Sequence, residues 1–278
     1  MVLTRRSVLK SMAVTGIGTV TGAGTYGVAY ERHRLGVTDA TLLMPGLPAT
    51  LDGLRIAFLT DIHHSQLVPE EDVRHAVDMT NALRPDITVL GGDYVTYGDR
   101  NYVEPVARLL APLQATHGVF AILGNHDDDR DMPAALARNG VGVLKDQRTR
   151  VTIRDASFEL AGIRFWTRRP ADLARVVAGA RDPVLLLAHD PRRLVEAAAL
   201  NIPAVLSGHT HGGQIVLPGI GAVAARKFPI AAGLGSRGDT SIFVSRGIGT
   251  VYVPVRFNCP PEVALITLRA TPAAPHAV

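Results

Sequence analysis

The stretch Gly208-His209-Thr210-His211-Gly212-Gly213-Gln214 stands just after the apolar run Ala204-Val205-Leu206. Two histidines two residues apart at a strand exit can face the same way and leave ring nitrogens free. The flanking glycines let the backbone turn sharply and let a ligand approach closely. Paired histidines alone could be ordinary hydrogen-bonding residues. Four other short apolar runs, however, end in the same chemistry: Asp61-Ile62-His63, Gly92-Asp93, Gly124-Asn125-His126-Asp127 and His189.

The runs that deliver these residues read as strands: Leu54–Thr60, Asp86–Leu90, Gly118–Leu123, Val184–Ala188 and Ala204–Leu206. Between them, helical patterns cover Pro69–Leu83, Tyr102–Leu113 (interrupted early by Pro105), Met132–Asn139, Ala171–Ala180 and Pro191–Leu200. On the first of these helices Val73, Ala76, Val77, Thr80 and Leu83 share a face. Val37–Leu43 reads as an opening strand, and Ile242–Ser245 and Val263–Leu268 as closing ones. Arg150–Arg154 and Phe158–Ile163 read as a hairpin around Asp155-Ala156-Ser157. Strands alternating with helices argue for an α/β sheet covered on both faces, where ligands gather at strand carboxyl ends.

With 278 residues, 47% hydrophobic and 19% charged, the chain suits one large globular domain over 31–270. Thr271 to Val278, with Pro272 and Pro275, reads as a frayed tail. The net charge of +4 comes mainly from Arg5, Arg6 and Lys10, which precede the first acid, Glu31. Taking these three from the 29 basic residues leaves 26 against 25 acidic ones. No clustered basic face of the kind nucleic-acid binding requires follows from that balance. The single cysteine, Cys259, excludes an internal disulfide framework and a thiolate metal cluster. Any metal must be held by His, Asp, Glu or Asn, which suits manganese, iron or zinc.

Residues 1–30 form a targeting segment. Thr4-Arg5-Arg6-Ser7-Val8-Leu9-Lys10 resembles a twin-arginine export signal, followed by an uncharged apolar stretch from Met12 to Ala29. That stretch suits either a signal cleaved after Ala29 or an uncleaved membrane anchor. Either route expects twin-arginine export machinery as a partner. The expected location is the periplasm or the outer face of the cytoplasmic membrane.

Asp61, His63, Asp93, Asn125, His189, His209 and His211 are the candidate ligands. Seven are too many for one tetrahedral zinc, but they serve two metals if a carboxylate bridges. Two cations about 3.5–4 Å apart can hold an attacking hydroxide and a phosphoryl oxygen during in-line displacement. No serine or cysteine nucleophile is then needed. His126, held by the neighbouring Asp127 carboxylate, would stabilise or protonate the leaving oxygen.

This ordered series, spanning residues 61 to 211, resembles the motif set of the calcineurin-like metallophosphoesterases. The twin-arginine start, Gly212-Gly213-Gln214, Ser245-Arg246-Gly247, Pro254-Val255-Arg256-Phe257 and Pro260-Pro261-Glu262 add likeness to an exported bacterial branch. The resemblance implies a four-layer α/β sandwich, two mixed sheets flanked by helices, around two divalent metal ions. It implies that Asp61, His63 and His211 hold one metal and Asn125, His189 and His209 the other. Asp93 would bridge them, and His126 would face the substrate. Where it leads one to expect an acidic residue soon after Gly162, the chain has Ile163-Arg164-Phe165-Trp166.

Arg164, Arg168 and Arg169, flanking Phe165 and Trp166, form either a phosphate- or lipid-facing lip or a solvated hairpin end. His64, His75 and His117 lack motif partners and read as surface or supporting residues. The expected activity is hydrolysis of phosphate mono- or diesters on an envelope or lipid-linked substrate. The competing readings are a metal-dependent protein that only binds an envelope phosphate, for which His126-Asp127 would be superfluous, and a cytoplasmic nucleotide phosphodiesterase, which Arg5-Arg6 opposes.

Overall fold

The computed structural model describes residue 22 and residues 24–271. The twin-arginine motif, most of the stretch from Met12 to Ala29, and residues 272–278 lie outside the described residues. In chain order the strands and helices are β1 (Gly36–Pro45), β2 (Arg55–Leu59), α1 (Glu70–Ala82), β3 (Ile87–Leu90), α2 (Val103–Leu110), β4 (Val119–Ala121), α3 (Asp131–Arg138) and β5 (Gly142–Val143). There follow β6 (Gln147–Ile153), β7 (Ala156–Ile163), α4 (Pro170–Val177), β8 (Val184–Ala188), α5 (Leu194–Ala199) and β9 (Ala204–Ser207). Two short strands, β10 (Val216–Leu217) and β11 (Gly221–Ala222), precede β12 (Gly233–Arg237), β13 (Thr240–Val244) and β14 (Glu262–Thr271).

Two six-stranded sheets form, in the orders β1-β14-β2-β3-β4-β5 and β12-β13-β9-β8-β7-β6. Each is mixed: β14 runs antiparallel to β2 in the first, and β6 to β7 and β12 to β13 in the second. Apolar side chains of both sheets, among them Leu42, Ile56, Phe58, Val89, Phe158, Leu185, Leu206 and Phe243, pack into a central core. The outer face of the first sheet packs on α1, α2 and α3, and that of the second on α4 and α5. This is the four-layer sandwich with helices outside both sheets. Strands buried on both faces read as unbroken apolar runs, which is why Val184–Ala188 shows no alternation.

The local chemistry explains the elements and their departures from expectation. Glu70, Glu71 and Asp72 occupy the first turn of α1, where the helix dipole favours acids. Pro105 does not interrupt α2; it lies in the first turn, where a missing N–H is harmless. The helix ends at Leu110, sooner than the pattern suggested, just before Pro112. The hairpin β6–β7 is longer than expected and turns on Arg154-Asp155 alone, with Arg154 in the left-handed region. Thr271 belongs to β14, paired with Pro45, and not to a tail. Strands β5, β10, β11 and β12 escaped the sequence reading because they are short or glycine-rich.

Register decides where the site falls. Leu59, Leu90 and Ala121 lie level across β2, β3 and β4, and Leu187 and Leu206 lie level across β8 and β9. All five strands run parallel to their neighbours in this set. Their carboxyl ends therefore open together at one edge of the two sheets.

Candidate metal centre

Five of the seven ligand candidates leave their strands through a tight, unusual backbone. Asp61, His63, Asp93, His209 and His211 all have φ between 50° and 72°. Non-glycine residues rarely adopt this left-handed region, and clusters of them mark functional sites. The glycines beside them are there for space. A Cβ on Gly208 would lie 2.3 Å from Asp61 Oδ2, and one on Gly124 would lie 2.1 Å from Asp93 Oδ1.

The side chains gather into two adjoining sets, Asp61/His63/His211 and Asp93/His189/His209, each with its ligand atoms within 4.8 Å of one another. In the first, His63 Nε2 and His211 Nε2 are 3.1 Å apart, and His211 Nε2 is 3.3 Å from Asp61 Oδ1. In the second, His189 Nε2 lies 3.0 Å from Asp93 Oδ2. Asp93 Oδ2 is also 3.6 Å from His63 Nε2, so this one oxygen faces both sets. The other oxygen, Oδ1, is engaged by the His126 backbone N–H at 2.8 Å.

Two buried atoms test whether cations fit. Among the described residues Asn125 Oδ1 and His189 Nε2 have no hydrogen-bond partner. A buried polar atom left without a partner is costly, and a cation satisfies an oxygen or an unprotonated nitrogen. His189 Nδ1 donates to the Gly91 carbonyl at 2.7 Å, which leaves the Nε2 lone pair pointing at the second set. The donor set of carboxylate, imidazole and amide oxygen, without thiolate, fits two divalent cations.

Burial and mutual charge shift the protonation of these ligands. Burial, opposed by His189, pushes the Asp61 carboxyl up to about 6. Burial would raise Asp93 too, but His189 and His63 beside it hold it below the usual carboxylate range. His189 is the counterpart: burial lowers it, and the Asp93 and Asp61 charges override that to carry it up to about 10. Burial lowers His63 to about 3 and His209 to about 4, and pushes His211 well down.

His126 and Asp127 are both present, but not as a pair. The Asp127 carboxylate accepts the backbone N–H groups of Asp93 and Tyr94 at 2.8 Å and of Gly124 at 2.9 Å. It ties the β3 and β4 exit loops together. His126 is held instead by the Tyr97 backbone N–H, which donates to Nδ1 at 2.9 Å. This corrects the expectation of a carboxylate-held imidazole. Because a backbone amide can only donate, Nδ1 is the acceptor and the ring proton sits on Nε2. Burial lowers the His126 pKa, so the ring is neutral near pH 7.

Of the two readings of the arginines, the structure fits the solvated hairpin end. Arg164 pairs with Asp146 and Asp129, and Arg169 with Asp172. Arg168 lies 5.5 Å from the Phe165 ring and 5.3 Å from Trp166. Arg164 and Arg168 line a hollow beside His189, with Arg192 and Arg193. None of the three expected arginines lines the cavity over the metal sets, where Lys227 is the lysine or arginine present. His64 is buried, its Nδ1 2.9 Å from the Val68 carbonyl, and is a structural residue and not a surface one.

Four residues around the site went unassigned in the sequence. Phe165 and Phe228 wall His209 from two sides, with centroids at 5.2 and 5.3 Å. Tyr97 and Tyr252 stand 5.1 and 6.4 Å from His126. The segments before β12 and after β13 fold back to bring Phe228 and Tyr252 here. Gln214 anchors that folding by accepting the Val251 N–H and donating to the Val253 carbonyl.

Two sheets whose level strand ends supply paired carboxylate–imidazole sets define a metal-dependent phosphoesterase. The chain belongs to the calcineurin-like phosphoesterase family, whose model matches residues 54–213. An uncharacterized metallophosphoesterase of Bacillus subtilis, YkuE, is 30% identical over 97% of this chain and 99% of its own length. The phosphodiesterase YaeI of Escherichia coli is 32% identical over 77% of this chain and 82% of its own. A Bos taurus transmembrane protein with a metallophosphoesterase domain is 29% identical over 85% of this chain, which spans 57% of it. Among solved structures, Haemophilus influenzae NAD nucleotidase aligns with a TM-score of 0.49 at 14% identity, covering 70% of this chain and 45% of that one.

Proposed function

We propose that this enzyme is an exported phosphodiesterase acting on an envelope or lipid-linked substrate. The observation that carries the catalytic part is Asp93 Oδ2, which faces His63 and His189 at once. When bound, two divalent cations supply a polarised phosphoryl oxygen and water of lowered pKa. Asp61, His63 and His211 would hold one, Asn125, His189 and His209 the other, with Asp93 shared. A water oxygen bonds to phosphorus, giving up a proton to solvent, as the bond to the leaving oxygen breaks. His126 Nε2–H donates a hydrogen bond to that leaving oxygen. A neutral imidazole that gave its proton away would become an anion, so the leaving oxygen takes its proton from solvent. His126 therefore stabilises and does not protonate.

A diester is the better fit than a monoester for an electrostatic reason. A monoester dianion needs more cationic partners than a diester monoanion, and among the described residues Lys227 is the only lysine or arginine lining the cavity. The name of the Escherichia coli relative supports the same reading. Hydrolysis of bis-p-nitrophenyl phosphate should exceed that of p-nitrophenyl phosphate with manganese added, and a chelator should abolish both. Full metal loading with no turnover of either ester would make this a phosphate-binding protein instead.

Export rests on Arg5-Arg6 and the uncharged stretch that follows. A relative named as transmembrane supports a place at the membrane. Among the described residues no helix is long and apolar enough to cross one. Replacing Arg5 and Arg6 together by Lys should leave active enzyme in the cytoplasm, and normal delivery of that variant would reject the twin-arginine route.

A further inference from the structure

The cavity over the metal sets has two unlike walls. One is the site itself, with Asp93, Asn125, His126, His209 and His211. The other is made by Ile215, Leu217, Val223, Phe228, Tyr252 and Val253, and the space between is about 500 Å³. Five of these six come from the segments 215–223 and 252–253, neither of which belongs to a packed layer. The hairpin β10–β11 is two residue pairs long, with its turn eased by Gly219 and Gly221 in the left-handed region.

These side chains are not there to hold the fold together. Leu217, Val223, Tyr252 and Val253 belong to none of the three hydrophobic clusters, and Val223 and Tyr252 are 48% and 73% exposed. Leaving several large apolar groups around one opening costs solubility, and such patches mark binding surfaces. A phosphate alone needs none of them. Gln214 fixes the geometry, holding the 251–253 segment against the histidine loop by the two hydrogen bonds already described.

We infer that this wall is a subsite for an aliphatic arm of the substrate, lying along Leu217, Val223 and Phe228 while the phosphorus sits at the metal sets. This rests on the phosphodiesterase reading for the position of the phosphorus and goes beyond it in assigning the substituent. The wall is continuous with the ligand sets, so one molecule spans both. Lys227, its ammonium 5.2 Å from the Phe228 ring, stands at the junction and supplies a counter-charge to a non-bridging phosphate oxygen. The second substituent lies on the side of His126 and Tyr97. The substrate class is thus a phosphodiester with one long apolar chain.

The test is calorimetric titration of the manganese-loaded protein with methyl alkyl phosphates of one, four and eight carbons, all below their aggregation limits. Full burial of a methylene is worth about fourfold in affinity, and a half-open wall about twofold. Affinity should then rise roughly sixteenfold from four to eight carbons, with an increasingly negative heat-capacity change. Leu217→Ser and Val223→Ser should each shrink the ratio of octyl to methyl affinity. Ala224→Trp, which fills the cavity, should do the same by a different route. Affinity independent of chain length would overturn the subsite. So would a normal chain-length slope in all three variants. A flat slope for monomeric esters, with binding to phospholipid vesicles that Leu217→Ser abolishes, would reassign the rim to a bilayer surface and also overturn it. Because the readout is binding, failure to hydrolyse any ester would sink the catalytic reading while leaving the slope to decide the subsite.

Discussion

The Tyr97 backbone N–H donates to His126 Nδ1 at 2.9 Å, and that one bond sets what the histidine can do. It places the ring proton on Nε2, in a ring that burial keeps neutral. His126→Ala should lower kcat by on the order of 10² while both metals stay bound. The kcat profile of the native enzyme should show no step at the ordinary histidine pKa attributable to an acid form. Elemental analysis showing loss of a metal from the variant would make His126 a ligand.

Asp93→Asn should cost metal as well as rate. Its Oδ2 faces His63 and His189, and an amide there offers either a weaker acceptor or a donor to the cations. Less than one equivalent of metal per chain is expected at concentrations that saturate the native enzyme. Two full equivalents in the variant would remove the bridging role.

Metal affinity should rise with pH, and the sign follows from His189. In the metal-free protein its ring is raised to about 10 by Asp93 and Asp61 against the effect of burial, so it carries a proton at neutral pH. A cation must displace that proton, giving about tenfold tighter binding per pH unit between roughly 6.5 and 8. Below about 6 Asp61 also protonates, and the dependence should steepen. Manganese titrations at pH 5.5, 6.5 and 7.5 measure the slope, and equal affinities at the upper two values would contradict it.

Gly208→Ala introduces a single methyl group 2.3 Å from both Asp61 Oδ2 and Thr60 Oγ1. Asp61 must move, and with it the Asp61/His63/His211 set. We expect a folded protein that has lost about one metal equivalent and at least tenfold in kcat, a cost of more than about 1.4 kcal/mol in the barrier. Native metal content and native kcat in this variant would show that the loop yields without disturbing its ligand.

Much of this centre was legible along the chain because its chemistry is local. An aspartate, a histidine or an amide after an apolar run announces a ligand at a strand end, and glycines beside it announce close approach. The alternation of strand and helix argued for an α/β sheet covered on both faces, and the ordered ligand series carried the family resemblance that implied four layers. The role of Asp127 was not legible. Its nearest sequence neighbour suggested a carboxylate supporting His126, whereas the fold brings three backbone amides from two loops to it. The buried Arg256 is a similar case: its guanidinium donates to the carbonyls of Arg246, Gly247, Gly249 and Cys259, a set of partners that no spacing reveals.

The sequence by itself determined the longer apolar strands, the ligand candidates and the family, because residue type and period-2 or period-3.6 patterning depend only on near neighbours. Tertiary structure alone decided that Asp93 faces both sets, that a Tyr97 amide orients His126, and that an apolar wall rises over the metals. Those juxtapositions join residues from 19 positions apart (His209 and Phe228) to 126 (His126 and Tyr252), and they are made by the register of two sheets and by the segments on either side of β12 and β13. Side chains such as Val223 and Tyr252 carry no signal of their own, since an exposed apolar residue becomes informative only beside what it faces.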